Sequence, residues 1–226
     1  MSEAFFLSIF NSMIVEFTGV PGIGKTYLAQ SYCEYLSKKG VEYNWPYQYI
    51  YKKGYFMRNI IKLIFVLGKL VIAPQLLLTM YKTICLFHFS SWKDFVITLF
   101  NGFFLKCIID RQKKNDAVLV LDEGVAQFTF SIYNKLGDKP QKRLIKQIMK
   151  QYGVPDIIYD IHANITTVIN NIDCDRRKRR ERNLQSIIRM KEQIEIIVDA
   201  FLDQNGVIVK KITNTKADEF NWDNYL

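Results

Sequence analysis

The sequence predicts an α/β fold of three layers, α/β/α, built on a parallel five-stranded sheet with a helical insertion. Three observations carry this. Short β-rich or apolar runs alternate with stretches of helical spacing along the 226 residues, the pattern of strands joined by crossover helices. The first such run enters a glycine-rich loop that opens a helix. The continuous apolar run Ala117-Val118-Leu119-Val120-Leu121, ending in Asp122-Glu123-Gly124, suits a central parallel strand buried on both faces. The length fits one domain, 1–226, with a sizeable core.

The elements follow in order. Residues 13–18 (MIVEFT) read as a strand. Residues 25–39 carry apolar side chains at Tyr27, Leu28, Tyr32, Tyr35 and Leu36, and Lys38-Lys39-Gly40 gives a basic last turn and a stop. Residues 41–45 read as a second strand ended by Pro46. An aliphatic and aromatic helical region follows over about 55–109, broken near Pro74 and Ser90-Ser91. After the strand at 117–121 come a helix over 139–152 and a strand over 156–162. A short helix over 165–172, a long one over 184–202 and a last strand over 207–212 complete the chain.

Gly19-Val20-Pro21-Gly22-Ile23-Gly24-Lys25-Thr26 fits G-x-x-x-x-G-K-[ST] without a mismatch, between strand and helix as the motif requires. This is the P-loop of a nucleoside-triphosphate-binding protein. Glycines let the backbone wrap a phosphate, and the positive end of the following helix faces it. Lys25 is placed to reach the β- and γ-phosphates, and Thr26 to ligate Mg²⁺. Tyr27, the next residue, joins the candidate nucleotide contacts. Asp122, closing an apolar strand, is the second candidate Mg²⁺ ligand, and Glu123 a candidate to polarise the attacking hydroxyl or water. The implied cofactors are ATP and Mg²⁺.

Six of the seven residues from Arg176 to Arg182 are basic: Arg176, Arg177, Lys178, Arg179, Arg180 and Arg182. Guanidinium groups that close over phosphates neutralise charge developing in a phosphoryl-transfer transition state. We read 173–183 as an arginine-rich lid, against the alternative of a solvated charged face. His88 and His162 read as structural.

A hydrophobic fraction of 49% with 23% charged residues argues for a folded globular chain. The net charge of +9 calls for an anionic partner. No nucleic-acid motif accompanies the basic run, so no specific nucleic-acid partner is expected; the partner read here is a small-molecule acceptor. Contact of a basic, aromatic-rich surface with a membrane is left open. No uncharged run in 55–109 reaches the roughly 18 residues of a membrane span, and the N-terminal run, with Glu3 and no cleavage site, does not read as a signal peptide. It is expected to pack on the core. Cys33, Cys85, Cys107 and Cys174 lack metal or disulfide spacing and read as reduced thiols of a cytoplasmic protein, peripheral to a membrane at most. Oligomeric state is left open, a dimer included.

On these residues the chain resembles the P-loop kinases of the nucleoside- and nucleotide-kinase group, thymidylate-kinase-like proteins nearest. The loop Gly19–Thr26, the segment Val154-Pro155-Asp156-Ile157-Ile158-Tyr159-Asp160-Ile161, similar to that group's strand, and the arginine-rich stretch carry the resemblance. Leu121-Asp122-Glu123-Gly124 is closer to predicted small-molecule kinases of bacterial surface-polysaccharide gene clusters. The resemblance implies ATP-dependent phosphoryl transfer to a nucleoside, nucleotide or sugar-like acceptor. A thymidylate kinase would carry aspartate-arginine where Asp122-Glu123 stands, which puts a thymidylate acceptor in doubt.

An AAA-type ATPase is the alternative: the loop and Asp122-Glu123 would serve it, with Asn164 as its sensing asparagine. Against it stand the long apolar stretch between Lys25 and Asp122 and the lack of a helical lid domain after the last strand. A GTPase switch ranks lower. Thr215-Lys216-Ala217-Asp218 fits [NT]-K-x-D, but Asp122-Glu123-Gly124 is D-x-G rather than D-x-x-G.

Overall fold

The computed structural model describes residues 12–51, 55–112, 116–174, 184–214, 220 and 222–225. The N-terminal run at 1–11, the arginine stretch and Thr215–Asp218 lie outside the described residues.

Five strands form one all-parallel sheet in the order β2-β3-β1-β4-β5: β1 (Ile14–Thr18), β2 (Tyr43–Asn44), β3 (Val118–Leu121), β4 (Ile157–His162) and β5 (Ile208–Thr213). This is the expected sheet, with β2 shorter than the 41–45 read from sequence. The helices are α1 (Lys25–Lys38), α2 (Pro46–Tyr51), α3 (Tyr55–Ile72), α4 (Pro74–Ile84), α5 (Trp92–Gln112), α6 (Val125–Leu136), α7 (Lys142–Tyr152), α8 (Ile165–Cys174) and α9 (Leu184–Leu202).

Strand periodicity sorts the layers. Side chains alternate across a sheet, and on β1 the alternation separates hydrophobic from polar work. Phe17 points to α1 and the C-terminal turn, packing its ring 5.8 Å from Tyr32 and 6.0 Å from Trp222. Tyr159 on β4 joins the same aromatic cluster. Glu16 and Thr18 point the other way, to α6. The core strands β1, β3 and β4 are buried almost throughout, as both-sided coverage demands.

Helix α6 is not among the elements expected from sequence. Its stretch VAQFTFSIYNKL is rich in β-branched and aromatic residues, which weaken helix propensity. Tertiary burial overrides this: Val125 through Phe130, Ile132 and Tyr133 are all buried, and Gly137 at φ 73° ends the helix in the left-handed conformation. Helix α7 runs as expected, burying Ile145, Ile148, Met149 and Tyr152 at helical spacing. The insertion forms three helices, interrupted where Pro74 and Ser90-Ser91 predicted breaks. Only α5 is deeply embedded, burying Phe103, Phe104, Leu105 and Ile109 among others. The Gly102 backbone lies so close to Tyr152 and Phe128 that no side chain fits there.

Candidate active site

The P-loop runs from the end of β1 into α1, at the carboxyl edge of the sheet where ligands of such sheets bind. Gly22 (φ 81°) and Gly24 (φ 98°) take backbone conformations that side chains resist. Val20 and Ile23 are anchored in the core, each 2% exposed. Pro21 is partly exposed, and Tyr27 stands half-exposed on the first turn of α1.

Two asparagines hold the loop from outside. Asn171 on α8 donates its side-chain amide to the Gly22 carbonyl at 2.8 Å, and Asn214, just after β5, donates to the Ile23 carbonyl at 2.8 Å. A side chain at position 24 would meet Asn214 Nδ2 at 2.5 Å. The last glycine of the motif is therefore fixed by a neighbour as well as by its backbone angle. Lys25 Nζ donates to the carbonyls of Gly19 (2.9 Å) and Val20 (3.1 Å) across the loop.

Because β1 and β3 are hydrogen-bonded neighbours, Thr26 and Asp122 meet although they lie far apart in sequence. The Thr26 hydroxyl donates to Asp122 Oδ2 at 2.9 Å. On the other carboxylate oxygen, the Trp45 indole N–H donates at 3.4 Å. Asp122 is 1% exposed. Burial, and next the charge of Glu123, push its carboxyl up to about 6, against the pull of the Thr26 and Trp45 hydrogen bonds. A divalent cation would relieve both causes, so this pair of hard oxygens fits Mg²⁺. No group of three or more His, Cys, Asp or Glu that could hold a metal occurs among the described residues. A metal at Thr26–Asp122 would thus complete its shell with water and phosphate oxygens, the habit of Mg²⁺.

Glu123 is exposed, and its backbone carbonyl accepts from the Tyr47 hydroxyl at 3.1 Å. Burial raises the Tyr47 hydroxyl well above the usual tyrosine range, so the phenol stays a neutral donor. Arg58 and Lys62 of α3 act electrostatically on the same corner. Lys62 is buried, donates to Asn101 Oδ1 at 3.3 Å, and has its pKa lowered by burial against the attraction of Glu123. The insertion thus brings Lys62 within electrostatic reach of Glu123.

A second carboxylate lies beneath the loop. Glu16, fully buried on β1, accepts from the backbone N–H groups of Ala126 (3.1 Å) and Gln127 (2.8 Å) at the start of α6. It caps that helix from a neighbouring strand. Burial raises its carboxyl to about 7 despite these bonds. The same carboxylate packs against Gly124, where any side chain would collide with it. Gln127, held in place by this cap, accepts at 3.3 Å from both the Thr18 hydroxyl and the Gly19 N–H. Glu16, Gly124 and Gln127 therefore tie the Asp122-Glu123 turn to the first residue of the P-loop.

Among the residues proposed from sequence, the structure brings together Gly19–Thr26, Asp122 and Glu123. Arg176, Arg177, Arg179, Arg180 and Arg182 lie outside the described residues. His162 pairs with buried Asp160 at 2.8 Å at the end of β4. Asn164 accepts from the Thr166 N–H at 3.2 Å at the start of α8, a capping position. Sequence reading missed Trp45, Tyr47, Glu16, Gln127, Asn171 and Asn214. For one of them a signal existed: a glutamate amid the apolar run of β1 needs a buried partner.

No family model and no curated protein matches the chain. Among solved structures, thymidylate kinase from Ehrlichia chaffeensis is similar at a TM-score of 0.51 and 16% identity, over 92% of this chain and 89% of that one. At that identity the likeness carries architecture alone, and the chain has the three-layer α/β/α fold of the P-loop kinases.

Proposed function

We propose that the protein is an ATP- and Mg²⁺-dependent phosphotransferase acting on a small acceptor, a nucleoside, nucleotide or sugar-like metabolite. The observation that supports it best is the Thr26–Asp122 hydrogen bond at 2.9 Å, which joins the loop's hydroxyl to a buried carboxylate at the strand's end. In this reading the loop amides and Lys25 bind the phosphates, while Thr26 and Asp122 hold the metal. Bound there, Mg²⁺ would neutralise phosphate charge. The acceptor oxygen gains the γ-phosphoryl, the β–γ bridging bond breaks, and ADP leaves. Glu123 takes the proton of a hydroxyl acceptor. One or two arginines of 176–182 would close over the phosphates. Lys62, which feels the charge of Glu123, and Arg58 near Tyr47 favour an acceptor carrying oxygen-rich or anionic groups. The likeness of Leu121–Gly124 to small-molecule kinases of surface-polysaccharide clusters favours a sugar-like one, and a cytoplasmic setting goes with ATP use.

Asn164, the sensing asparagine of the AAA-type reading, accepts from the Thr166 N–H through its side-chain oxygen at the start of α8. Thermal shift with ATP, GTP and Mg²⁺, followed by phosphorus NMR against sugars, nucleosides and polyols, tests the proposal. The expected result is stabilisation by Mg·ATP and ADP formation accelerated by one acceptor class. ATP hydrolysis indifferent to every acceptor would overturn it. Lys25→Ala should abolish stabilisation by the triphosphate, and Glu123→Gln should slow turnover without weakening it.

A further inference from the structure

Helix α3 is apolar on the side that faces away from the protein. Met57, Ile64, Leu67 and Val71 recur at spacings of three, four and seven, which sets them on one stripe. They are 47%, 64%, 53% and 86% exposed. The charges lie on the opposite stripe: Lys62 is buried against Asn101 of α5, and Lys69 pairs with Asp110 of α5 at 3.9 Å. A surface helix normally shows the reverse arrangement. The apolar exposure continues past the 113° bend between α3 and α4, with Leu78 at 62% and, at the start of α5, Trp92 at 73%.

Charge identifies the occupant. From Tyr43 to Lys93 the chain holds no aspartate or glutamate, against seven lysines and arginines. Lys82 and Lys93 are exposed beside the apolar residues. Two copies meeting through this face would oppose like charges, whereas an anionic surface would attract them. An exposed apolar face flanked by lysines, with an exposed indole, is the composition that settles at the boundary between headgroups and acyl chains. No single helix among the described residues is long and apolar enough to cross a membrane. The bend lets α3, about 27 Å long, lie along a bilayer.

We propose that the outer face of α3, continued by Leu78 and Trp92, docks on an anionic lipid bilayer. The inner face of the same helix carries Arg58 and Lys62, so on the phosphotransfer reading α3 lies between the bilayer and the acceptor side of the site. Docking itself does not rest on the phosphotransfer reading, since vesicle binding is measured without nucleotide.

Flotation with phosphatidylcholine–phosphatidylglycerol vesicles, beside pure phosphatidylcholine vesicles, tests it. The protein should float with the anionic vesicles and less with the neutral ones, and the Trp92 emission should shift to the blue. Trp45 and Trp222 are buried, and Trp92→Phe should remove the shift. Ile64→Gln, Leu67→Gln and Val71→Gln together should lower partition by at least about tenfold with an unchanged melting temperature. Lys82→Glu with Lys93→Glu should cut anionic binding while leaving fold and melting unchanged. No flotation of the wild type, or flotation untouched by both sets, overturns the proposal. So does a dimer in light scattering that the triple substitution turns into a monomer.

Discussion

The P-loop end of the sheet and the helices of the insertion obey opposite rules. Around the P-loop, almost every polar group has a fixed partner: Thr26 on Asp122, Glu16 on the α6 amides, and Asn171 and Asn214 on loop carbonyls. In α3 and α4, large apolar side chains stand in the open and only the inner face is tied down. The first region is determined from inside the chain, so each substitution there should disturb several groups at once. The second is finished by something outside it, so substitutions on its outer face should be silent in the isolated protein.

Gly124→Ala should give the largest effect. The new methyl collides with the Glu16 carboxyl group, forcing a buried, hydrogen-bonded group off the helix amides. We expect a loss of about 3 kcal/mol or more in urea unfolding. Glu16→Ala should absorb part of that loss in the double variant. Additive losses would show that the two residues do not act as one unit.

The pH dependence comes next. Folding raises the Glu16 carboxyl from 4.5 to about 7, so the folded protein keeps a proton that the unfolded chain gives up. Stability should therefore fall as pH rises from about 4.5 to about 7, by up to about 3 kcal/mol. Asp122 acts in the same sense over a lower window, from 3.8 to about 6. Glu16→Gln should flatten the upper part of the curve; an unchanged slope would assign it to another group. Binding of Mg·ATP, which wants Asp122 ionised, should weaken below about pH 6.

A smaller change is expected for Trp45→Phe, which removes one donor from Asp122. It should cost about 1 kcal/mol and move the acid limb of Mg·ATP binding to higher pH, read by titration calorimetry. Smallest of all, Ile64→Gln and Val71→Gln should each change unfolding free energy by no more than about 0.5 kcal/mol in solution. A larger loss would mean that this face is covered within the protein and would erase the contrast.

Much of the P-loop end was legible in position because its residues are written contiguously. Residues 19–26 are one loop, and Asp122 is marked by the apolar run it terminates. The groups that hold this chemistry in place are scattered. Asn214 and Asn171 reach the loop across 191 and 149 positions, and no local pattern announces such contacts. Helix α6 was illegible for a different reason: its composition favours a strand, and burial decides otherwise. In the insertion, spacing revealed helices and their breaks, but not which side of α3 would face outward. That depends on Lys62 and Lys69 finding partners on α5.

The two asparagines also bear on the order in which the protein becomes competent. Asn171 follows β4, and Asn214 follows β5. A chain emerging from the ribosome displays its complete glycine motif before residues 171 and 214 are made, and until then lacks the groups that hold two of the loop's carbonyls. The loop is thus held in place only once the chain through Asn214 has been made, and a chain cut short of it would carry the glycine motif without its supports.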